Sequence, residues 1–142
     1  MARVLLDTDI LSEIVKAKDA TVTARAREYL ASEGRFMIPV LSVMEVVYGF
    51  ERVGREDRME QFRALLNGHE VLVFDADIAA LAGRIYAKLE RAGRTVGLTD
   101  VMIAAVAIHH GLGIATGNVR HFQAVRDAGY EFALENWRLG SG

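Results

Sequence analysis

Gly97-Leu98-Thr99-Asp100-Val101-Met102-Ile103-Ala104-Ala105-Val106-Ala107-Ile108 decides how this chain folds. From Val101 onward every position is apolar, so a helix built on this stretch has no solvent face and must lie inside the molecule. Yet Asp100 falls in its first turn, after Thr99, a residue suited to cap the orphan N–H groups there. A helix N-terminus stabilises a carboxylate by about 0.3–1 kcal/mol, far less than an unpaired buried charge costs. Asp100 is therefore expected to meet a cationic partner, and other groups of the chain must converge on it.

Upstream, Val4-Leu5-Leu6 is a short apolar run that stops at Asp7-Thr8-Asp9, and Ile10 to Val15 then carries helical spacing. This reads as strand, turn and helix, with Asp7 at the carboxyl end of a buried strand, where α/β sheets place ligands. The plainer reading has Thr8 or Asp9 capping the helix and Asp7 as a turn residue. A second helix is expected over Thr21–Ser32, closed by Gly34, and a strand over Phe36-Met37-Ile38, ended by the single proline, Pro39. Ser42 to Phe50 is a helix apolar except for Glu45. Ser42-x-x-Glu45 matches a capping box, which would occupy Glu45 locally; the apolar surroundings argue that this carboxylate too is buried at a cost.

Glu51 to Asn67 reads as an amphipathic helical region, Val71–Phe74 as a third strand, and Asp75 as the cap of a long helix reaching about Arg91, with Gly93 as its stop. Arg84, Lys88 and Arg91 form one stripe on that helix, with Arg94 beyond it. Such a stripe is either a wet face or a phosphate-contacting face. His109 and His110 close the apolar helix, where the dipole favours them, and need no metal role. Leu112–Thr116 is a fourth strand, Gly117-Asn118 a turn, and Asn118 a candidate cap for a helix opening at Val119. Tyr130–Ala133 is the expected last strand, and Gly140-Ser141-Gly142 a frayed end.

Strands alternating with helices argue a central, mainly parallel sheet of four to five strands with helices on both faces. With 142 residues, 51% of them hydrophobic, the chain is expected to form one domain over 1–142. It has no cysteine, which excludes disulfides and thiolate metal sites. No run of about 18 apolar residues appears, and an acid follows the first apolar run too soon for a signal peptide. A cytoplasmic protein without membrane association is expected. The 17 Lys and Arg against 19 Asp and Glu leave a net charge of −2, so any nucleic-acid binding must use a local patch.

Asp7, Glu45 and Asp100 stand out as carboxylates bordered by residues that belong inside. Brought together they would protonate unless a cation held them ionised. Hard oxygen donors without sulfur suit Mg²⁺ or Mn²⁺, ions that bridge carboxylates to phosphates, and the composite points to metal-dependent phosphoryl chemistry. No P-loop or GxGxxG is present.

With these residues in hand the chain resembles the PIN-domain family, and within it the VapC-type toxins of toxin–antitoxin pairs. The resemblance runs over nearly the whole chain. It rests on Leu5-Leu6-Asp7-Thr8-Asp9-Ile10-Leu11-Ser12-Glu13, on Glu45 with Tyr48-Gly49, on Gly97-Leu98-Thr99-Asp100 with Ile103-Ala104-Ala105, and on Thr116-Gly117-Asn118-Val119-Arg120-His121-Phe122. It implies a three-layer α/β/α fold, a Mg²⁺ or Mn²⁺ site at the strand ends, and an endoribonuclease restrained by a cognate antitoxin and acting as a homodimer. Position by position, Asp7, Glu45 and Asp100 match the family's acidic ligands, and Thr116 matches a small polar residue near the metal. Asp9 stands where Asn is common. Asn118 stands where many relatives carry a fourth acid; an amide can orient water there but adds no charge, or it simply caps the helix.

The expected activity is cleavage of an RNA phosphodiester by a water that the ion activates, with Arg84, Arg91, Arg94 and Arg120 as candidate phosphate contacts. A different class of reading is a non-catalytic PIN-like module that docks nucleic acid or partners in a repressor complex; an expensive anionic pocket argues against it. A phosphoacceptor receiver domain also clusters acids at strand ends, but no lysine closes a late strand here.

Overall fold

The computed structural model describes residues 2–139, so the expectation for Gly140-Ser141-Gly142 lies outside the described residues. Five short strands, β1 (Val4–Leu6), β2 (Met37–Pro39), β3 (Glu70–Leu72), β4 (Gly113–Thr116) and β5 (Leu134–Asn136), form one sheet in the order β3-β2-β1-β4-β5. Every pairing is parallel, with Leu5 opposite both Met37 and Ile114. Successive side chains of a strand point to opposite faces, and β1 divides its three residues accordingly. Leu5 packs with α5 (Ala76–Arg91), α6 (Leu98–His110) and α7 (Val119–Asp127). Val4 and Leu6 pack with α1 (Thr8–Lys16), α2 (Ala20–Glu33), α3 (Val40–Arg52) and α4 (Glu56–Asn67). Helices on both faces of a parallel sheet give the expected three-layer α/β/α architecture.

The apolar stretch Val101–Ile108 lies within α6. Val101 and Ile103–Ala107 are completely buried, and Leu98 alone among its apolar residues is exposed. Such burial is worth about 1.5–3 kcal/mol for each large aliphatic side chain, which overrides the modest helix propensity of Val and Ile. Thr99 does not cap this helix. The cap position is Gly97, with no side-chain bond, and Thr99 lies within the first turn. His109 and His110 end α6 before Gly111, which takes the left-handed conformation at φ 67°.

Several boundaries differ from expectation for identifiable reasons. Helix α3 begins at Val40, directly after Pro39, so Ser42 sits inside it and cannot form a capping box with Glu45. The polar stretch after Glu51 is two helices, because Gly54 turns the chain at φ 69° between them. The third strand covers Glu70–Leu72 rather than Val71–Phe74. The last strand is not Tyr130–Ala133: Tyr130 and Phe132 pack instead against the α5–α7 core, and the chain reaches β4 only at Leu134, opposite Ile114. Asp19 and Asp75 cap α2 and α5 through their side chains. Among the described residues no helix is long and apolar enough to cross a membrane.

Strand β1 connects leftward to β2, while β4 connects rightward to β5. The point where connections reverse leaves a crevice at the carboxyl ends of these two central strands. Asp7 follows β1 and Thr116 ends β4, so both expected polar residues arrive at that crevice from the backbone alone.

Candidate functional site

Asp7 is the N-cap of α1, with extended backbone at φ −72°, and its Oδ1 accepts from the Thr8 amide at 2.8 Å. The reading that gave the cap to Thr8 or Asp9 therefore fails. The Asp7 amide donates to the Ala115 carbonyl (2.9 Å), and Oδ2 accepts from the Thr116 hydroxyl at 2.8 Å. The residue is only 3% exposed. Burial above all, then the neighbouring Asp9 carboxylate and more weakly Asp100, push its pKa up to about 7 against the opposing pull of its two hydrogen bonds. A buried carboxylate in this state calls for a positive charge.

Asp100, in the first turn of α6, has His121 as its partner, whose Nδ1 lies 2.8 Å from Oδ2. The imidazole counters that charge only when protonated. His121 was missed by sequence reasoning, which attended to His109 and His110. The signal was its place three residues after Asn118, in the first turn of α7, facing the turn that follows β4.

Glu45 reaches the site through Thr8. The Thr8 hydroxyl donates to Glu45 Oε1 at 2.5 Å and lies 2.9 Å from the buried Ser42 hydroxyl. Sequence reasoning recognised neither Thr8 nor Ser42 as part of the site. Asp9 and Asp100 are the neighbouring carboxylates that raise Asp7. Among the described residues, no three His, Asp or Glu side chains lie close enough to cage an ion without adjustment. The acids instead form a linked row, Glu45 to Thr8 to Asp7, with Asp9 and Asp100 alongside.

Asp9 is tied down elsewhere. Its Oδ1 accepts from the Ile10 amide and its Oδ2 from the Gly117 amide, each at 2.9 Å. Arg138, beyond β5, lies 3.7 Å from Asp9, 3.6 Å from Glu13 and 3.3 Å from Asp19. Gly117 is required at this junction, since a Cβ would collide with Asp9 Oδ2 and stand 3.0 Å from Arg138 Nε. The Asp9 carboxylate is thus answered by two backbone amides and a shared guanidinium, yet its charge still raises Asp7. Asn118 occupies the cap position of α7, but its side chain makes no capping bond; its amide donates to Thr116 Oγ1 at 2.8 Å.

The candidate arginines divide. Arg94 and Arg120 line a cleft of about 650 Å³ together with Asn118 and His121, and Arg94 also pairs with Asp127 at 3.3 Å. Arg84 and Arg91 are exposed on α5 and do not line that cleft, while Lys88 lies over the Tyr130 ring at 4.8 Å.

The donor type suits a hard divalent cation, although the described acids would have to draw together to hold one. Asp7 and Asp100 offer carboxylate oxygens, Glu45 stands one hydroxyl away, and the electrostatic cost written on Asp7 is what such an ion would relieve.

The PIN domain model matches residues 4–128. A tRNA(fMet)-specific endonuclease VapC from Shigella flexneri is 36% identical over 88% of this chain and 93% of its own length. Its namesake from Salmonella typhimurium is 31% identical over 96% of this chain and 99% of its own. Among solved structures, DNA-bound VapBC from Salmonella typhimurium superposes with a TM-score of 0.81 at 30% identity, covering 96% of this chain and 99% of that one.

Proposed function

Because the chain belongs to the PIN-domain family and is of the VapC type, we propose that it is a Mg²⁺-dependent endoribonuclease toxin, with Mn²⁺ able to substitute, held in check by a cognate antitoxin. The observation that carries this reading is Asp7: a carboxylate 3% exposed, at the end of a central strand, raised to about 7 by burial and by neighbouring acids. A fold retains such a group only where a positive charge or a proton compensates it.

Asp7, Asp100 and Glu45 are the residues that would hold the ion. When bound, the ion supplies an activated water and neutralises charge on the phosphodiester. The chain's own groups prepare for this. Thr116 and the Thr8 amide fix both oxygens of Asp7, so its orientation is set before any ligand arrives. Thr8, itself against the Ser42 hydroxyl, holds Glu45 toward Asp7, and His121 holds Asp100. Thr116 in turn is fixed by the Asn118 amide, which leaves the Asn118 carboxamide free to orient water at the edge of the site. Arg84, Arg91, Arg94 and Arg120 are the proposed phosphate contacts, with Arg94 and Arg120 nearest the acids.

The antitoxin reading has support on α3. Met44 (59% exposed), Val47 (40%) and Tyr48 (63%) form an apolar strip on the helix that carries Glu45. A partner segment with an apolar face and a basic side chain would cover the strip and answer the acids together. A second copy of the chain is the other expected partner.

Incubation of the purified protein with end-labelled RNA tests the proposal. Two relatives are named for tRNA(fMet), so initiator tRNA is the first substrate to try. Cleavage is expected with Mg²⁺ or Mn²⁺ and none with EDTA or after Asp7→Asn; cutting that survives exhaustive chelation overturns the metal-dependent reading.

A further inference from the structure

The cleft of about 650 Å³ beside the acids has a composition at odds with the rest of the site. Arg94 and Arg120 line it together with His121, Asn118, Asn136 and Thr95, and among the described residues no carboxylate does. This is a locally positive, hydrogen-bonding recess in a chain of net charge −2, set directly against a row of acids. Its volume falls within the roughly 300–1,000 Å³ typical of clefts that seat a small ligand.

The cleft shares its wall with the acidic centre. His121, which lines it, bonds Asp100 at 2.8 Å, and the Asn118 amide bonds the Thr116 hydroxyl that holds Asp7. Gly117, also in the wall, donates its amide to Asp9. A phosphodiester at Asp7 and Asp100 therefore has the cleft as its immediate neighbour. Arg94 comes from the connection between α5 and α6, Arg120 from the first turn of α7, and Asn136 from the end of β5. Three separate elements converge on the recess.

We propose that this cleft is a nucleotide subsite that takes one unpaired ribonucleotide adjoining the scissile phosphate, with Arg94 and Arg120 on that nucleotide's own phosphate and the Asn136 amide on its base or ribose. The inference rests on the ribonuclease reading of the neighbouring acids. Its physical basis is division of labour: acids that favour a cation would repel the chain of phosphates, and guanidiniums one nucleotide away offset that repulsion. Arginine suits the role because its planar fork matches phosphate oxygens and keeps its charge at any working pH. Amide side chains suit a base edge, which only an unstacked, single-stranded nucleotide exposes. Arg94 is steadied by Asp127, but both side chains are more than 40% exposed, so water screens the pair and Arg94 is free to engage a stronger anion.

The test uses the full chain and one short single-stranded RNA in which each phosphate in turn is replaced by an uncharged methylphosphonate. Binding is read by fluorescence anisotropy with Ca²⁺ in place of Mg²⁺, and cleavage by single-turnover kinetics. In the wild type, one position should weaken binding about tenfold or more. Arg94→Gln and Arg120→Gln should each lose similar affinity, become indifferent to that methylphosphonate, and lower the salt slope of binding by about one. Arg120→Lys should retain part of the effect, and unchanged melting temperatures will show that the variants are folded. Glutamine variants with wild-type affinity and slope, or still sensitive at the same phosphate, overturn the subsite while leaving the ribonuclease intact. A wild type that shows the arginine-dependent phosphate effect but cuts no RNA overturns the ribonuclease and leaves the subsite standing.

Discussion

Asp7 and Asp100 each open a helix beneath the same crevice, but the protein holds them by opposite means. Asp7 leaves a central strand, is 3% exposed, and has both oxygens committed to donors from its own and a neighbouring strand end. Asp100 rides on the first turn of α6 with its side chain 23% exposed, and its partner is the half-exposed His121. The first acid is fixed by the sheet and carries the energetic burden of burial; the second is fixed by a helix and has an exchangeable partner. The difference teaches that a pre-positioned anion and an adaptable one can be built from the same residue type, by changing only which backbone element presents it.

The largest effect should come from removing either charge. Asp7→Asn and Asp100→Asn are each expected to lower RNA cleavage by roughly a thousandfold or more, measured in single-turnover assays. The two should part company in stability. In EDTA at pH 8, Asp7→Asn should melt well above wild type, and Asp100→Asn only slightly above it; equal shifts would erase the distinction drawn here.

The pH dependence of the metal-free fold comes next in size. Asp7 is raised from 3.8 to about 7 in the folded chain, so the folded state holds a proton that the unfolded state releases first. Its contribution to stability is therefore full below about pH 4 and is lost as pH rises through about 7. Melting in EDTA from pH 4 to 8 should fall on the order of 10 °C on this account, and Asp7→Asn should flatten the profile. Mn²⁺ should restore stability at pH 8, by about 2.7 kcal/mol at a hundredfold excess over Kd. A wild type that gains stability steadily over this range would show that Asp7 is not the burdened acid.

His121→Ala probes the adaptable side. Cleavage should drop about tenfold, and Mn²⁺ affinity measured by calorimetry should change, while the Asp7-driven pH profile stays as in wild type. A loss equal to that of Asp100→Asn would mean His121 takes part in the reaction directly. Asn118→Ala should cost least, a few-fold in cleavage with no change in melting, because the structural bond here is made by the Asn118 amide and not its side chain. A loss as large as that of the aspartates would place the carboxamide among the groups that hold the ion.

Much of this site was legible in the sequence, and what was not has a common cause. Asp100 was legible because an all-apolar helix has one fate, and a carboxylate in its first turn has to be answered. Asp7 was legible because an apolar triplet ending in an acid reads as a strand end. The capping box at Ser42 was the wrong local reading of Glu45: with α3 starting at Val40, Ser42 is interior, and Glu45 bonds Thr8, 37 residues away in sequence. The strand placed at Tyr130–Ala133 failed in the same way. Its aromatic residues suit a strand, but they dock on the α5–α7 core, and pairing begins where the chain meets Ile114.

Apolar spacing and punctuation, which act over a few residues, were enough to reveal most helices, the burial of α6, the alternation that makes a parallel sheet, and which acids border apolar runs. Only the tertiary structure decided which partner each polar group took: His121 for Asp100, Thr8 for Glu45, Thr116 for Asp7, and Arg138 with the Gly117 amide for Asp9. These bonds link residues 21 to 129 positions apart, and no local propensity chooses among donors that distant. The choice is made when β1 and β4 pair side by side and their helices pack, which brings the ends of both strands to one crevice.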